Sequence, residues 1–136
     1  MSKKKNHPIS GGEAVVECLK AYNIKYVFGL IGSATMELFD ALYHEKSITF
    51  IDVRDERTGA HMADAFARAS GSNGVIIAGQ NGPGATNLVT GVAQAKAAFS
   101  PLLSIAGAIA TEHQGKDAFQ EVDQQKLFEP ITKKTF

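Results

Sequence analysis

Along the 136 residues the apolar positions change period several times, and each change marks an element. Val15, Val16, Leu19 and Tyr22 recur at helical spacing behind Ser10-Gly11-Gly12-Glu13, where a serine hydroxyl and a glutamate three residues on each satisfy a first-turn amide. This predicts a helix starting at Ser10, with Asn23 as its left-handed stop. The unbroken apolar run over 26–31 predicts a buried strand, ended by Gly32-Ser33. A second helix places Met36, Phe39 and Tyr43 on one stripe with Leu38 and Leu42 beside it, and leads to a second strand over 48–53. A third helix over 58–70, closed by Gly71, precedes Val75-Ile76-Ile77-Ala78, apolar on both faces as a central parallel strand is. A helix through Leu88, Val89, Val92, Ala93 and Phe99 and a strand over 102–106 follow. Residues 111–125 lack a clean period and predict a long loop with a short helix, and 131–136 predict the start of another strand.

Strands alternating with helices through short connections imply right-handed crossovers, hence an α/β fold: a doubly wound parallel sheet with helices on both faces. Residues 1–9, with Lys3-Lys4-Lys5, read as a disordered basic tail, and 10–136 as one domain. A core strand beginning at a chain end makes that domain the expected fragment of a longer enzyme. Zero formal net charge supplies no basic field, so nucleic acid is not an expected partner. The longest mainly apolar run, 99–110, is too short for a bilayer and holds Pro101, and no signal-peptide centre is present, so no membrane is expected and the location expected is cytoplasmic. Cys18 has no disulfide partner and is expected as a small buried thiol, while His7, His44, His61 and His113 never reach metal-ligand spacing.

Candidate chemistry lies at the strand ends. Open α/β sheets bind ligands at their carboxyl edge, and two features fall there: Glu56, after the second strand, and Gly79-Gln80-Asn81-Gly82-Pro83-Gly84, after the third. The glycine order is not that of a dinucleotide loop, and no lysine followed by serine or threonine makes it a nucleotide-hydrolase loop. Pro83 between two glycines gives a stiff turn through which backbone can approach a flat ligand; the same turn also serves as a plain strand-to-helix connection. Likewise, a carboxylate in a first helical turn is often only a dipole partner in solvent. Gly59, Ala60, Ala63, Ala65 and Ala67 tip the balance, because a helix this small-sided packs closely and sets the acid in partly dry surroundings, suited to proton exchange near neutral pH.

Three separated motifs then carry a resemblance: the stretch 54–68 (Arg54-Asp55-Glu56-Arg57-Thr58-Gly59-Ala60-His61-Met62-Ala63-Asp64-Ala65-Phe66-Ala67-Arg68), Gly82-Pro83-Gly84-Ala85-Thr86-Asn87, and Ala118-Phe119-Gln120-Glu121-Val122-Asp123. Together they resemble the N-terminal pyrimidine-binding domain of thiamin-diphosphate enzymes of the acetolactate synthase group, over about residues 10–136. Within that group, Phe28-Gly29-Leu30-Ile31-Gly32-Ser33 and the loop 79–84 look most like sulfoacetaldehyde acetyltransferase. The resemblance implies that Glu56 hydrogen-bonds N1′ of the aminopyrimidine and so promotes loss of the C2 proton of the cofactor. It further implies Ser33, Asn81, Pro83, Asn87 and Gln120 around the cofactor, Ser33 beside the reacting carbon, and Phe119 with Gln120 on the substrate side. Asp55 stands where many relatives have histidine and Phe66 where tyrosine is common; His61 is expected to support packing or a hydrogen bond one layer out, and Glu121 and Asp123 to orient their loop.

No Gly-Asp-Gly occurs in the chain. The resemblance therefore implies that thiamin diphosphate is shared with a diphosphate-binding domain of a partner chain, which holds the Mg2+, that the chain supplies no metal ligand, and that it is inactive by itself. The substrate implied is a small 2-oxo acid or an aldehyde. Ala93, Ala95, Ala97 and Ala98 predict apolar helix surface and hence a homodimer or higher assembly. A second reading keeps the fold but makes the chain a non-catalytic assembly or regulatory module.

Overall fold

Four strands, Tyr26–Leu30 (β1), Thr49–Asp52 (β2), Gly74–Ala78 (β3) and Leu102–Ala106 (β4), pair in parallel in the order β2-β1-β3-β4. They belong to a computed structural model that describes residues 8–136. Phe28 lies opposite both Ile51 and Ile76, and Ala78 opposite Ala106, so the carboxyl ends of β1, β3 and β4 lie together. Helices Gly11–Ala21 (α1) and Met36–His44 (α2) cover one face, while Glu56–Ser70 (α3), Pro83–Ala97 (α4) and the short Gln124–Phe128 (α5) cover the other. This is the doubly wound α/β arrangement that the alternating pattern predicts.

Strand β3 shows why. All five residues are buried, with Val75 and Ile77 packed toward α1 and α2 and Ile76 and Ala78 toward α3 and α4, as pleating directs alternate side chains to opposite faces. Ser10 and Glu13 form the capping box of α1, Asn23 takes a positive φ just beyond that helix, and Gly71 closes α3 in the left-handed region. The chain runs from β1 outward to β2 and then returns past β1 to β3, so the strand order reverses between β1 and β3. A crevice for ligand opens at such a reversal.

Several expectations are corrected. Cys18 is exposed, because Val16 and Leu19 define the buried face of α1 and a residue two from Val16 projects to the far side. Tyr22 is exposed as well, since it caps α1 from beyond its last residue. On α2 the buried set is Leu38, Phe39 and Leu42; Met36 and Tyr43 sit roughly 100° around the helix from its centre and face solvent. Residues 131–136 form no strand; Pro130 lies in a 3-10 turn, Glu129–Ile131, where its missing N–H and fixed φ suit a turn better than a ladder. At the end of α4, Ala95 is buried, Ala93 and Ala98 are half-buried and Ala97 is exposed, so the alanine surface is smaller than expected, and most of the exposed side carries Thr86, Asn87, Thr90 and Gln94. The expected tail, 1–9, lies outside the described residues up to position 7.

Candidate functional site

Glu56 is the first residue of α3. The Asp55 carboxylate accepts from the amides of Arg57 and Thr58 at 2.8 and 3.3 Å, which fixes the helix start and sends the next side chain inward. Glu56 is only 5% exposed. Its Oε2 accepts from Asn87 Nδ2 at 3.0 Å, and Oε1 has no donor among the described residues. Asn87 is exposed on the first turns of α4, so a single bond spans the two helices that flank the crevice.

The wall beside that open oxygen is Gly84. A methyl group at this position would lie 3.2 Å from Glu56 Oε1 and 3.1 Å from Gln80 Cβ. Pro83 opens α4 as its first residue and is exposed, and Gly82 before it has φ +53°, which disfavours any side chain. The glycine turn thus presents bare backbone next to a buried acid, the shape a flat heterocycle needs.

Across the turn lies a second group. The Ser33 hydroxyl donates to Gln80 Oε1 at 2.9 Å; Gln80 Nε2 donates to Gln120 Oε1 at 2.7 Å and to Asn81 Oδ1 at 3.2 Å. Asn81, 6% exposed, donates through Nδ2 to the carbonyls of Phe119 and Gln120 at 3.2 and 3.1 Å. Gln124 ties the same loop from behind: its Oε1 accepts from the Gly82 amide at 3.1 Å and its Nε2 donates to the Gly107 carbonyl at 2.9 Å. The loop is wound on Glu121, whose carboxylate accepts from the Gly115 and Ala118 amides at 2.6 and 3.0 Å; those amides hold its pKa below the usual carboxylate range.

Glu56 and Asn87 therefore meet directly, with Pro83 adjoining, while Ser33, Asn81 and Gln120 are joined in one circuit. Gly84 is where the two groups touch. Among the described residues Phe119 is tied only through its carbonyl, and the residue is 83% exposed at the loop tip. His61 is exposed and its side chain makes no hydrogen bond among the described residues. Phe66 packs against Tyr26 and Phe28 on the far part of α3, and Asp123 caps α5. Gln80 and Gln124 were not singled out by the sequence, because polar residues about 40 positions apart leave no periodic trace of their pairing. Among the described residues no three His, Cys, Asp or Glu side chains group as a metal site would need, and no helix is long and apolar enough to cross a membrane.

A parallel sheet with a buried acid and a bare glycine turn at its carboxyl edge is the frame of an α/β ligand-binding domain. The chain belongs to the family described as thiamine pyrophosphate enzyme, N-terminal TPP binding domain, whose model matches residues 9–127. It is 47% identical over 128 residues to a probable acetolactate synthase large subunit of Methanocaldococcus jannaschii, covering 94% of this chain and 21% of that protein. Identity is 43% over 140 residues to the acetolactate synthase large subunit of Cyanidium caldarium, covering 100% of this chain and 24% of the other. For acetolactate synthase isozyme 3 large subunit of Escherichia coli K12 it is 42% over 128 residues, covering 94% and 22%. The chain spans about a fifth to a quarter of the length of these curated relatives.

Proposed function

We propose that the chain supplies the pyrimidine-binding half of a thiamin-diphosphate site in an acetolactate synthase-type carboligase, with Glu56 engaging a ring nitrogen of the aminopyrimidine. One observation carries this: a buried carboxyl has one oxygen tied by Asn87 and the other open beside Gly84. The open oxygen is not enclosed, so a ligand edge can reach it in place of water and complete the carboxyl's set of partners. An aminopyrimidine edge offers the nitrogen that would complete it, and its flat ring fits against backbone without side chains.

Bound thiamin diphosphate would supply a carbon able to add to a substrate carbonyl. The chain's own contribution is holding and orienting. Glu56 presents Oε1 toward the ring edge, Asn87 fixes the rotamer of the carboxyl, and Pro83 and Gly84 form the wall. Ser33, Asn81 and Gln120 border the same turn, and Phe119 projects on the substrate side. Diphosphate and Mg2+ fall to a partner domain, a division supported by the relatives' greater length. That the relatives are named acetolactate synthases favours a small 2-oxo acid over sulfoacetaldehyde. Exposed Phe99 and Leu103 support burial of this face against another protein surface, in a homodimer or higher assembly.

Thiamin itself, which carries the aminopyrimidine without the diphosphate, tests the reading. Titrated into the 15N-labelled chain, it is expected to shift the amides of Glu56, Gly84 and Asn87. Glu56→Gln should weaken that response about tenfold, the worth of a hydrogen bond to a charged group. A non-catalytic assembly module would show no thiamin response at these residues.

A further inference from the structure

We propose that Gln80 is a positioning residue: through the circuit at the glycine turn it fixes the Gln120 amide with its NH2 facing outward, so that the site reads an acceptor oxygen, carboxylate or carbonyl, on the substrate. The ligand part of this inference rests on the proposed function; the orientation part does not.

An amide side chain has nearly the same shape either way round, and its partners decide which end donates. Backbone carbonyls can only accept. The Asn81 group facing the Phe119 and Gln120 carbonyls at 3.2 and 3.1 Å must therefore be its NH2, which leaves Oδ1 as the acceptor at its other end. Gln80, 3.2 Å from that oxygen, must then present its own NH2. The second hydrogen of that NH2 is directed at Gln120, 2.7 Å away, and requires an oxygen there. Gln80 Oε1 is left for the Ser33 hydroxyl, which rotates to donate at 2.9 Å. Each assignment forces the next, and the series ends at Gln120 Nε2, whose hydrogens find no acceptor among the described residues. Turning Gln120 round would set one NH2 against another and forfeit the shortest bond of the circuit. Asn81 anchors the whole series because it is only 6% exposed, so an unpaired amide there is costly.

The backbone locks the same loop. Gln120 has φ +61° and Asp117 φ +53°, and a methyl placed on Gly82 would collide with the Gln120 carbonyl oxygen. A residue held this closely presents one face only. An outward NH2 offers two donors, which suits the oxygens of a 2-oxo acid and rejects a group that can only donate.

Side-chain amide exchange followed by 15N NMR on the intact chain tests this. In the native chain the NH2 groups of Gln80 and Asn81 should exchange about tenfold more slowly than that of Gln120, as expected for one net hydrogen bond, and pyruvate should shift the Gln120 NH2 signal. In Gln80→Glu the new carboxylate can only accept, so Gln120 turns, its NH2 becomes protected and the pyruvate response is lost. Gln80→Met, uncharged and without polar atoms able to compete, should leave the Gln120 NH2 unprotected, which separates reversal from general disruption. A protected Gln120 NH2 in the native chain, which needs no variant to measure, overturns the orientation; so does an unchanged Gln120 in Gln80→Glu. Absence of a pyruvate shift overturns the ligand assignment. Failure of the thiamin reading shows elsewhere, as missing shifts at Glu56 and Asn87 with the amide pattern intact.

Discussion

Alanine at position 84 sets two small energies against each other in the middle of the site. Helix propensity favours alanine over glycine by up to about 1 kcal/mol. Against this, the added methyl would stand 3.2 Å from Glu56 Oε1 and 3.1 Å from Gln80 Cβ, inside the optimal separation of roughly 3.5–4.0 Å between carbon atoms. Glu56 is 5% exposed and tied to Asn87, and Gln80 is held by Ser33, Asn81 and Gln120, so neither neighbour gives way freely. Overpacking of this kind costs about 1–3 kcal/mol. The expected net loss for Gly84→Ala is about 1 kcal/mol, read as a fall in Tm of roughly 3 °C for a chain of this size. Thiamin should also lose its effect on the Glu56 and Asn87 amides, because the methyl covers the open oxygen. Thermal unfolding by circular dichroism and the thiamin titration measure the two halves independently. A higher Tm together with an undiminished thiamin response would refute the confinement of the carboxyl beside the glycine turn.

Leu88→Ala removes a fully buried side chain between α4 and the sheet, and should cost about 2–5 kcal/mol in urea unfolding with an unchanged m value. Arg68→Ala strips Asp64, 1% exposed, of its 2.9 Å ion pair while its Oδ1 already lacks a partner among the described residues; with Arg68 half-exposed, a loss of about 2 kcal/mol is expected, below the roughly 3–5 of a fully buried pair, and Arg68→Lys should recover part of it. Glu121 has its folded pKa depressed by the Gly115 and Ala118 amides, so its contribution is present above the unfolded value and lost as pH falls through the folded one. Amide exchange in the loop 115–121 should accordingly quicken only once the pH has fallen below the ordinary glutamate range, while β3 remains protected, and Glu121→Gln should show the faster exchange already at neutral pH.

Much of the fold was legible because burial and periodicity coincide in it. Val75 to Ala78 are apolar without interruption and are buried on both faces; Ser10 with Glu13, Asn23 and Gly71 mark helix ends by local chemistry alone. Phase was less legible. On α2 two apolar stripes compete, Met36-Phe39-Tyr43 and Leu38-Phe39-Leu42, and the second wins where α1 packs close, with Gly12 directly over the Glu37 carbonyl. Cys18 and Tyr22 failed for kindred reasons, one rotated off the buried face and the other past the helix end. Of the site, the acid and the glycine turn could be read from their places after β2 and β3, whereas Gln80 and Gln124 act through partners about 40 residues away and are visible only once the chain is folded.

Proton exchange at C2 of thiamin diphosphate, measured with this chain, Mg2+ and a diphosphate-binding domain from one of the acetolactate synthase relatives, tests the role of Glu56 most directly. Exchange should be faster with the native chain than with Glu56→Gln by about 10²- to 10⁴-fold, the usual contribution of a positioned acid or base. Equal rates for the two chains would contradict the assignment of that carboxyl to the cofactor.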